Sequence, residues 1–493
     1  MKNKIFKYIM MGSLALCATS CGNDWLDLEP STSMQSKVES ITDVKYTLNG
    51  IYSDMQNAYA YSGRLVYYGD VTADDMQAVS STKRTATAYL YGFTKSSSQA
   101  TYWSYPYTFI QNCNVILANI DGITATTDDD KATLADYKGQ ALAIRGMSLF
   151  ELTRLFGYPY TKDNGASLGA CIVTTVSETN AKPQRSTVAE CYTQIISDLE
   201  ASVELLGEDF NKGQINKWAA LTLLSRVYLY HGDNQKALDA AEKAIKGAEK
   251  NGYRLWTNAE YPTAWGNDAS ESNPGEVLFE IVNLTTDSPG NESLGYLNNP
   301  GGYSDLCVTC SFYNLLSKDP DDVRLKIINI AAKPTYTSSS VIGRGYVNKY
   351  QPQSGEEPVD ANIPLLRLSE AYLNAAEAAV KVGNNDKAVT YLDAIVKRAN
   401  PANTVQGTTV TLDRVLTECR KEFVGEGHRF YDLLRNGLSI ERKSETNSLL
   451  SKTKHLCSDE YMTIGLDNYK IVLPIPQAER DVSHIANNPG YGE

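Results

Sequence analysis

Apolar side chains recur at three- and four-residue intervals through much of this chain, and the runs come in pairs separated by a short polar break. The clearest pair is INKWAALTLLSRVYLYHGDNQKALDAAEKAIKGAEK. Trp218, Leu221, Leu224, Val227 and Tyr228 share one helical face, Gly232-Asp233 breaks the run, and Ala237, Leu238, Ala241, Ala244 and Ile245 resume it. The small residues Ala237 and Ala244 sit where two helices must approach closely, as in a tetratricopeptide (TPR) unit. Asn216 is placed to cap the first helix of the pair. A second copy, LRLSEAYLNAAEAAVKVGNNDKAVTYLDAIVKRAN, puts Ala375, Ala376, Ala379, Gly383, Ala388 and Leu392 in comparable positions. Weaker pairs join Tyr102 to Ile120 with Tyr137 to Phe156, and Thr187 to Leu206 with the first copy. The pattern predicts an all-α fold of TPR-like helical pairs over about 40–250 and 361–440.

Between the two clear copies the texture changes. Residues 255–360 are rich in Asn, Gly, Ser, Pro and Tyr and hold only short strand-like pieces such as EVLFEIVN and VIGRGYVNKY. That length exceeds a single loop, so an irregular subdomain built onto the helical scaffold is predicted. A smaller stretch from Tyr59 to Lys95 is similar, with Tyr59, Tyr61, Tyr67, Tyr68, Tyr89 and Tyr91 among Ser, Thr, Gly and Asp. Polar loops this aromatic suggest binding.

The N-terminal MKNKIFKYIMMGSLALCATSC reads as an export signal over residues 1–20. Lys2, Lys4 and Lys7 form a basic start, and Ile9 to Leu16 an apolar core too short for a permanent span. Cys21 follows Ala18, Thr19 and Ser20 and precedes an acidic polar stretch, which marks it as the acylated residue of a bacterial lipoprotein; a cleaved signal without lipid is the other reading. Acyl chains at Cys21 would anchor the chain, since each buried methylene contributes about 0.8 kcal/mol. No later run reaches the roughly 18 apolar residues of a membrane span.

Composition narrows the function further. A net charge of -12 argues against nucleic acid and anionic surfaces and fits neutral or basic ligands more easily. With 32 Tyr against 10 Phe, the aromatic surface is mostly amphipathic, each ring carrying a hydroxyl, which suits polar ligands with apolar faces such as sugars. Beyond Cys17 and Cys21 the seven cysteines are scattered. Cys307 and Cys310 have C-x-x-C spacing without a second half to complete a metal site, so apolar packing or a local disulfide is expected. His231, His428, His455 and His484 form no ligand spacing, and SKDPDDVR, with Asp319, Asp321 and Asp322, lacks the Gly and terminal Glu of a calcium loop. A solvated helix start is expected there, with no metal and no cofactor.

Four motifs, in order along the chain, resemble the SusD/RagB family of Bacteroidetes surface lipoproteins. They are CGNDWLDLEP at the lipid cysteine; ALAIRGMSLFELTRLFGYPY with Arg145, Phe150, Phe156, Gly157 and Pro159; RKEFVGEGHRFYDLLRNG with Arg420, Glu422, Glu426, Gly427, Arg429, Asp432 and Arg435; and VLPIPQAERDVSHIANNPGYGE with Ile475, Pro476, Glu479, Asn488, Pro489, Gly490 and Tyr491. The resemblance implies one SusD-like domain over 21–493, at the cell surface on the outer membrane. It also implies a SusC-like TonB-dependent transporter as partner and oligosaccharide as usual ligand, with peptides in some members. The charged third motif has helical spacings, so a paired helix surface accounts for it.

A sugar needs a flat aromatic platform with short polar side chains beside it. From the two loop-rich regions the candidate platform residues are Tyr67, Tyr68, Tyr91, Trp265, Tyr296 and Tyr303, with Asp74, Asp75, Arg84 and Asn298 as hydroxyl partners. Trp103, Trp218 and Trp256 are assigned to packing. No pair of carboxylates is recognisable as catalytic, so a non-catalytic binding protein is expected, with a glycosidase and a peptide binder as the alternatives.

Overall fold

The computed structural model describes residues 38–492 apart from 97–99, 179–180, 212, 267–271, 354 and 451–454. The export signal, Cys21 and the CGNDWLDLEP motif lie outside the described residues. Glu39–Glu493 form one unit by contact.

Helices α1 (Ile41–Met55), α2 (Arg64–Val71), α3 (Ala100–Asn119), α4 (Asp128–Phe156), α5 (Val188–Leu205), α6 (Lys217–His231) and α7 (Asn234–Lys250) fill the first half. Their starts follow side-chain chemistry. Ser40, Thr127 and Thr187 each accept from the backbone N–H three residues on, where Asp43, Asp130 and Glu190 reciprocate. Asn216 caps α6 as expected, accepting from Trp218 N at 3.1 Å and Ala219 N at 3.0 Å. Its amide also donates to Tyr253 Oη at 3.1 Å and Leu278 O at 3.2 Å. Asn216→Ala therefore removes a cap and leaves two buried acceptors unpaired; chemical denaturation is expected to show a loss of about 2 kcal/mol.

Both TPR-like pairs form. Gly232, at φ 97°, ends α6 in the left-handed region and turns the chain into α7. Small residues admit the close contact: a Cβ on Gly247 would lie 2.0 Å from the Trp218 ring. The second copy gives α9 (Leu368–Lys381) and α10 (Asn385–Ala399), preceded by α8 (Cys310–Leu316) in the insert. Helix α9 packs on α7, so the insert leaves the scaffold and returns to stack the next pair on the last. The weaker pairs form too, as α3 with α4 and α5 with α6. Helices α11 (Leu412–Glu422), α12 (Arg429–Arg435) and α13 (Gln477–Ser483) follow. No described helix is long and apolar enough to cross a membrane.

The insert is tied down by two-stranded antiparallel ladders. Strand β4 (Val277–Ile281), in EVLFEIVN, pairs with β8 (Ile363–Arg367) and closes the insert at its base. Strand β1 (Met76–Ala78) pairs with β5 (Leu306–Val308), in register Met76↔Val308 and Ala78↔Leu306. This ladder places the tyrosine-rich stretch after α1 beside the insert. Between them in sequence, β2 (Leu168–Cys171) pairs with β3 (Arg185–Thr187); within the insert, β6 (Ile328–Ile330) pairs with β7 (Gly345–Val347).

Two expectations are corrected here. The third motif is not a paired helix surface. Helix α11 ends at Glu422, and the charges reach across the fold into its interior: Glu422 to Arg324, Arg367 and Arg398, Arg429 to Asp74, and Arg435 to Glu377, with only Asp432 and Arg435 paired at helical spacing. Nor is SKDPDDVR a solvated start. Asp322 is buried, caps the 3-10 turn Val323–Ile327 and binds Arg324 at 2.7 Å, while Asp319 accepts from Asn400 and Asn403. The seven described cysteines are buried, Cys307 and Cys310 among them. His428 stacks on Phe423, and burial, reinforced by Arg226 and Arg154, drives its pKa well below the ordinary imidazole value.

Candidate functional site

The β1–β5 ladder brings three of the ten sequence candidates into one strip, Arg84 exposed and Tyr296 and Tyr303 half-buried. Tyr296 and Tyr303 meet edge to face with ring centroids 5.0 Å apart. The Arg84 guanidinium carbon lies 3.6 Å above the Tyr303 ring. Arg84 Nε donates to Glu292 Oε1 at 3.3 Å, and the other Glu292 oxygen faces Arg64 Nη2 at 3.7 Å. Arg64 in turn covers the Tyr59 ring at 4.0 Å and donates to Thr101 Oγ1 at 3.1 Å. The strip thus runs Tyr59, Arg64, Glu292, Arg84, Tyr303, Tyr296, with about a quarter to two-fifths of each charged side chain open to solvent.

Its members are held by backbone geometry. Tyr303 N donates to Tyr296 O at 3.0 Å, and a Cβ on Gly302 would fall 2.4 Å from that carbonyl, so the turn joining the two rings requires glycine. Ser304 follows at φ 44°. Asp305 is the anchor on the other side. Its Oδ2 accepts from Arg84 N at 2.6 Å and Thr85 N at 3.4 Å, and its Oδ1 faces Lys83 Nζ and Arg84 Nη1 at 3.7 and 3.6 Å. Lys83 also donates to the Tyr303 carbonyl. Burial pushes the Asp305 carboxyl above its ordinary pKa against the pull of these partners. Arg64 begins α2, and the residues before it touch the Glu292 loop, with Leu294 N donating to Ser62 O at 2.8 Å.

The other candidates are corrected by their burial. Tyr67 lies beneath the strip with its hydroxyl on Tyr102, and burial pushes its phenol up to about 12. Tyr68 is in the core, edge-on to Tyr102 and Phe430 at 5.5 and 5.7 Å. Tyr91, at φ 52°, stacks on Tyr461 and donates to Thr72 O, so it faces inward. Trp265 packs against Trp256 and Tyr261 beneath the cations Arg367 and Lys349, while the Asn298 amide turns back onto Leu294 O at 3.0 Å. Asp74 and Asp75 are ion-pair partners, not hydroxyl readers. Asp74 Oδ1 binds Arg429 Nε at 2.8 Å and Asp75 Oδ1 binds Arg420 Nε at 2.5 Å. Burial opposes both charges. For Asp74 the two guanidiniums outweigh it and hold the carboxyl low, whereas burial pushes Asp75 up to about 6. Trp103, Trp218 and Trp256 are buried, as assigned.

The residues that sequence reasoning missed are Tyr59, Arg64 and Glu292. Tyr59 opens the tyrosine-rich stretch that runs to Lys95, and Arg64 follows it five residues on. Glu292, in SPGNESLGY, carries no local signal; only the fold brings it between two arginines.

Helical pairs thus support a loop-built strip of aromatic and cationic side chains. Two family profiles match: SusD-like_3, described as "Starch-binding associating with outer membrane", over residues 24–229, and the SusD family over residues 329–491. A crystallised protein of Bacteroides vulgatus is 62% identical, with 92% of this chain and 99% of that one covered and a TM-score of 0.88. A SusD superfamily protein of Bacteroides thetaiotaomicron is 38% identical over 91% of this chain and 100% of its own, with a TM-score of 0.83. Starch-binding protein SusD of Bacteroides thetaiotaomicron is 38% identical over 105 residues, 21% of this chain and 18% of that protein. The chain belongs to the SusD family.

Proposed function

We propose that this protein is a glycan-binding lipoprotein, anchored at Cys21 on the outer membrane, which captures oligosaccharides at the cell surface. It hands them, without catalysis, to a SusC-like TonB-dependent transporter. The observation that carries the reading is the strip from Tyr59 to Tyr296, where rings with hydroxyls alternate with accessible charged donors and an acceptor on a rigid turn. Such a surface matches a ligand with both apolar faces and a hydroxyl rim. Membership of the SusD family, and the starch-binding description of one matching profile, support the same reading.

Calorimetric titration of the detergent-solubilised full chain against a panel of oligosaccharides tests it. At least one glycan class is expected to bind, and Tyr296→Ala to weaken that binding about tenfold, the scale of one lost aromatic contact. Binding of protease digests with silence across all glycans would transfer the same architecture to peptides. Export and anchoring are checked separately: Cys21→Ala should release the chain from the membrane fraction.

A further inference from the structure

The faces of two strip tyrosines are not open to a sugar ring. Arg84 lies 3.6 Å over Tyr303 and Arg64 lies 4.0 Å over Tyr59, so what these rings present outward is a guanidinium. Cation–π contact holds each arginine flat and limits the freedom lost on binding. Around them the accessible charge is positive. Lys83, Arg84 and Arg64 have side chains 24%, 38% and 24% exposed, against Glu292 at 33%, while the Asp305 side chain is wholly buried. Glu292 itself shows what the two arginines hold: its two carboxylate oxygens lie 3.3 and 3.7 Å from Arg84 Nε and Arg64 Nη2. Of the Arg84 donors, Nε faces Glu292 and Nη1 faces Asp305, leaving Nη2 without a described hydrogen bond on a side chain 38% exposed.

We propose, resting on the glycan-capture reading above, that the ligand of this strip is an anionic saccharide. Its carboxylate or sulfate oxygens bind the outer edges of Arg84 and Arg64 while a neighbouring ring lies against Tyr296. Guanidinium matches a planar or tetrahedral oxyanion in a two-pronged geometry that a neutral hydroxyl cannot use as fully. The chain's net charge of -12 favours neutral or basic ligands on average, but screening confines each charge to about 8 Å at physiological salt, so the local cations decide. Glu292 then acts as an internal competitor for the two arginines. Neutralising it should tighten binding of an acidic ligand; if the ligand were neutral, the same change would replace a charged hydroxyl acceptor with a weaker amide oxygen and weaken binding.

The test titrates the detergent-solubilised full chain with hexagalacturonic acid, a sulfated carrageenan hexasaccharide, maltohexaose and laminarihexaose, at low and high sodium chloride. The uronate and sulfate arms identify which oxyanion is read. Binding of one acidic oligosaccharide, weakened severalfold by high salt, is expected. Arg84→Ala should cost about tenfold or more, the scale of a charged hydrogen bond, with partial recovery in Arg84→Lys. Glu292→Gln should strengthen the acidic ligand severalfold. A neutral hexasaccharide bound tightly, independent of salt and weakened by Glu292→Gln, would overturn the anionic assignment while leaving glycan capture intact. No binding in any arm, at either salt, would overturn both.

Discussion

Glu422→Ala is expected to lower the unfolding free energy at neutral pH by about 3–5 kcal/mol, because it uncovers buried cations rather than merely losing a contact. Glu422 lies in a cluster of charges taken almost wholly out of water. Its oxygens reach Arg398 at 2.6 Å, Arg367 at 3.2 Å and Arg324 at 3.4 Å. Arg367 also binds Glu426 at 2.7 Å and Glu276, Arg324 binds Asp322 and Glu418, and Lys349 binds Glu426. Tyr261 and Trp265 lie against the Arg398 and Arg367 guanidiniums. The cluster joins Glu276 just before β4, the insert, β8, α10 and α11, so it fixes how the insert sits on the helical scaffold.

The same residue predicts a pH dependence. Burial by itself would raise the Glu422 carboxyl, but Arg398, Arg367 and Arg324 hold it at about 2. An unfolded glutamate titrates near 4.3. A depressed folded value means that the contribution is present above that pH and is lost as pH falls from about 4.5 towards 2. Glu418, held by Arg324 and Arg414, and Glu377, held by Arg435 and Lys381, are kept at about 2 against burial in the same way. Urea denaturation from pH 7 to pH 2.5 should therefore show the wild type losing stability steeply below pH 4.5. Glu422→Ala should start lower and fall less. A variant within about 1 kcal/mol of wild type at pH 7, with an unchanged acid slope, would mean that water enters and relaxes the cluster.

What could be read before the structure depended on whether the signal was local. Helical pairs were legible because each buries one stripe at a fixed spacing, and Asn216 and Gly232 mark a start and a stop by their own chemistry. Arg84, Tyr296 and Tyr303 were reachable because the composition of their loops is unusual, but the same composition also named Tyr68, Tyr91 and Trp265, which are buried. A tyrosine in a polar loop signals an amphipathic ring; whether its face meets solvent is decided by residues hundreds of positions away. Tyr68 is covered by Phe430, and Trp265 by Arg367. The partners of the third motif were illegible for the same reason. Its charges obey helical spacing, yet α11 stops at Glu422 because the chain must turn through Gly425 and Gly427, both at positive φ.

Gly427→Ala tests how that turn supports the strip, and it is expected to destabilise the protein by about 3 kcal/mol or more, since backbone strain and overpacking each cost roughly 1–3 kcal/mol. Gly427 has φ 77°, and a Cβ there would lie 2.5 Å from Val66 O on α2. From the other side, a Cβ on Gly69 would lie 2.0 Å from Gly427 O, so α2 and the turn touch backbone to backbone. Asp70 fastens the contact, its two oxygens accepting from Gly425 N at 3.2 Å and Gly427 N at 2.9 Å. Helix α2 begins with Arg64, which covers Tyr59 and faces Glu292 in the strip. Pushing α2 away from the turn should move Arg64, so Gly427→Ala should weaken saccharide binding even at temperatures where the variant remains folded. Gly50→Ala is the control: it lies in α1 with nothing within 4 Å of the added Cβ and should stabilise the helix by about 0.5–1 kcal/mol. If Gly427→Ala lost stability while binding stayed at the wild-type value, the strip would be held by the Asp305 turn alone and α2 would serve only the core.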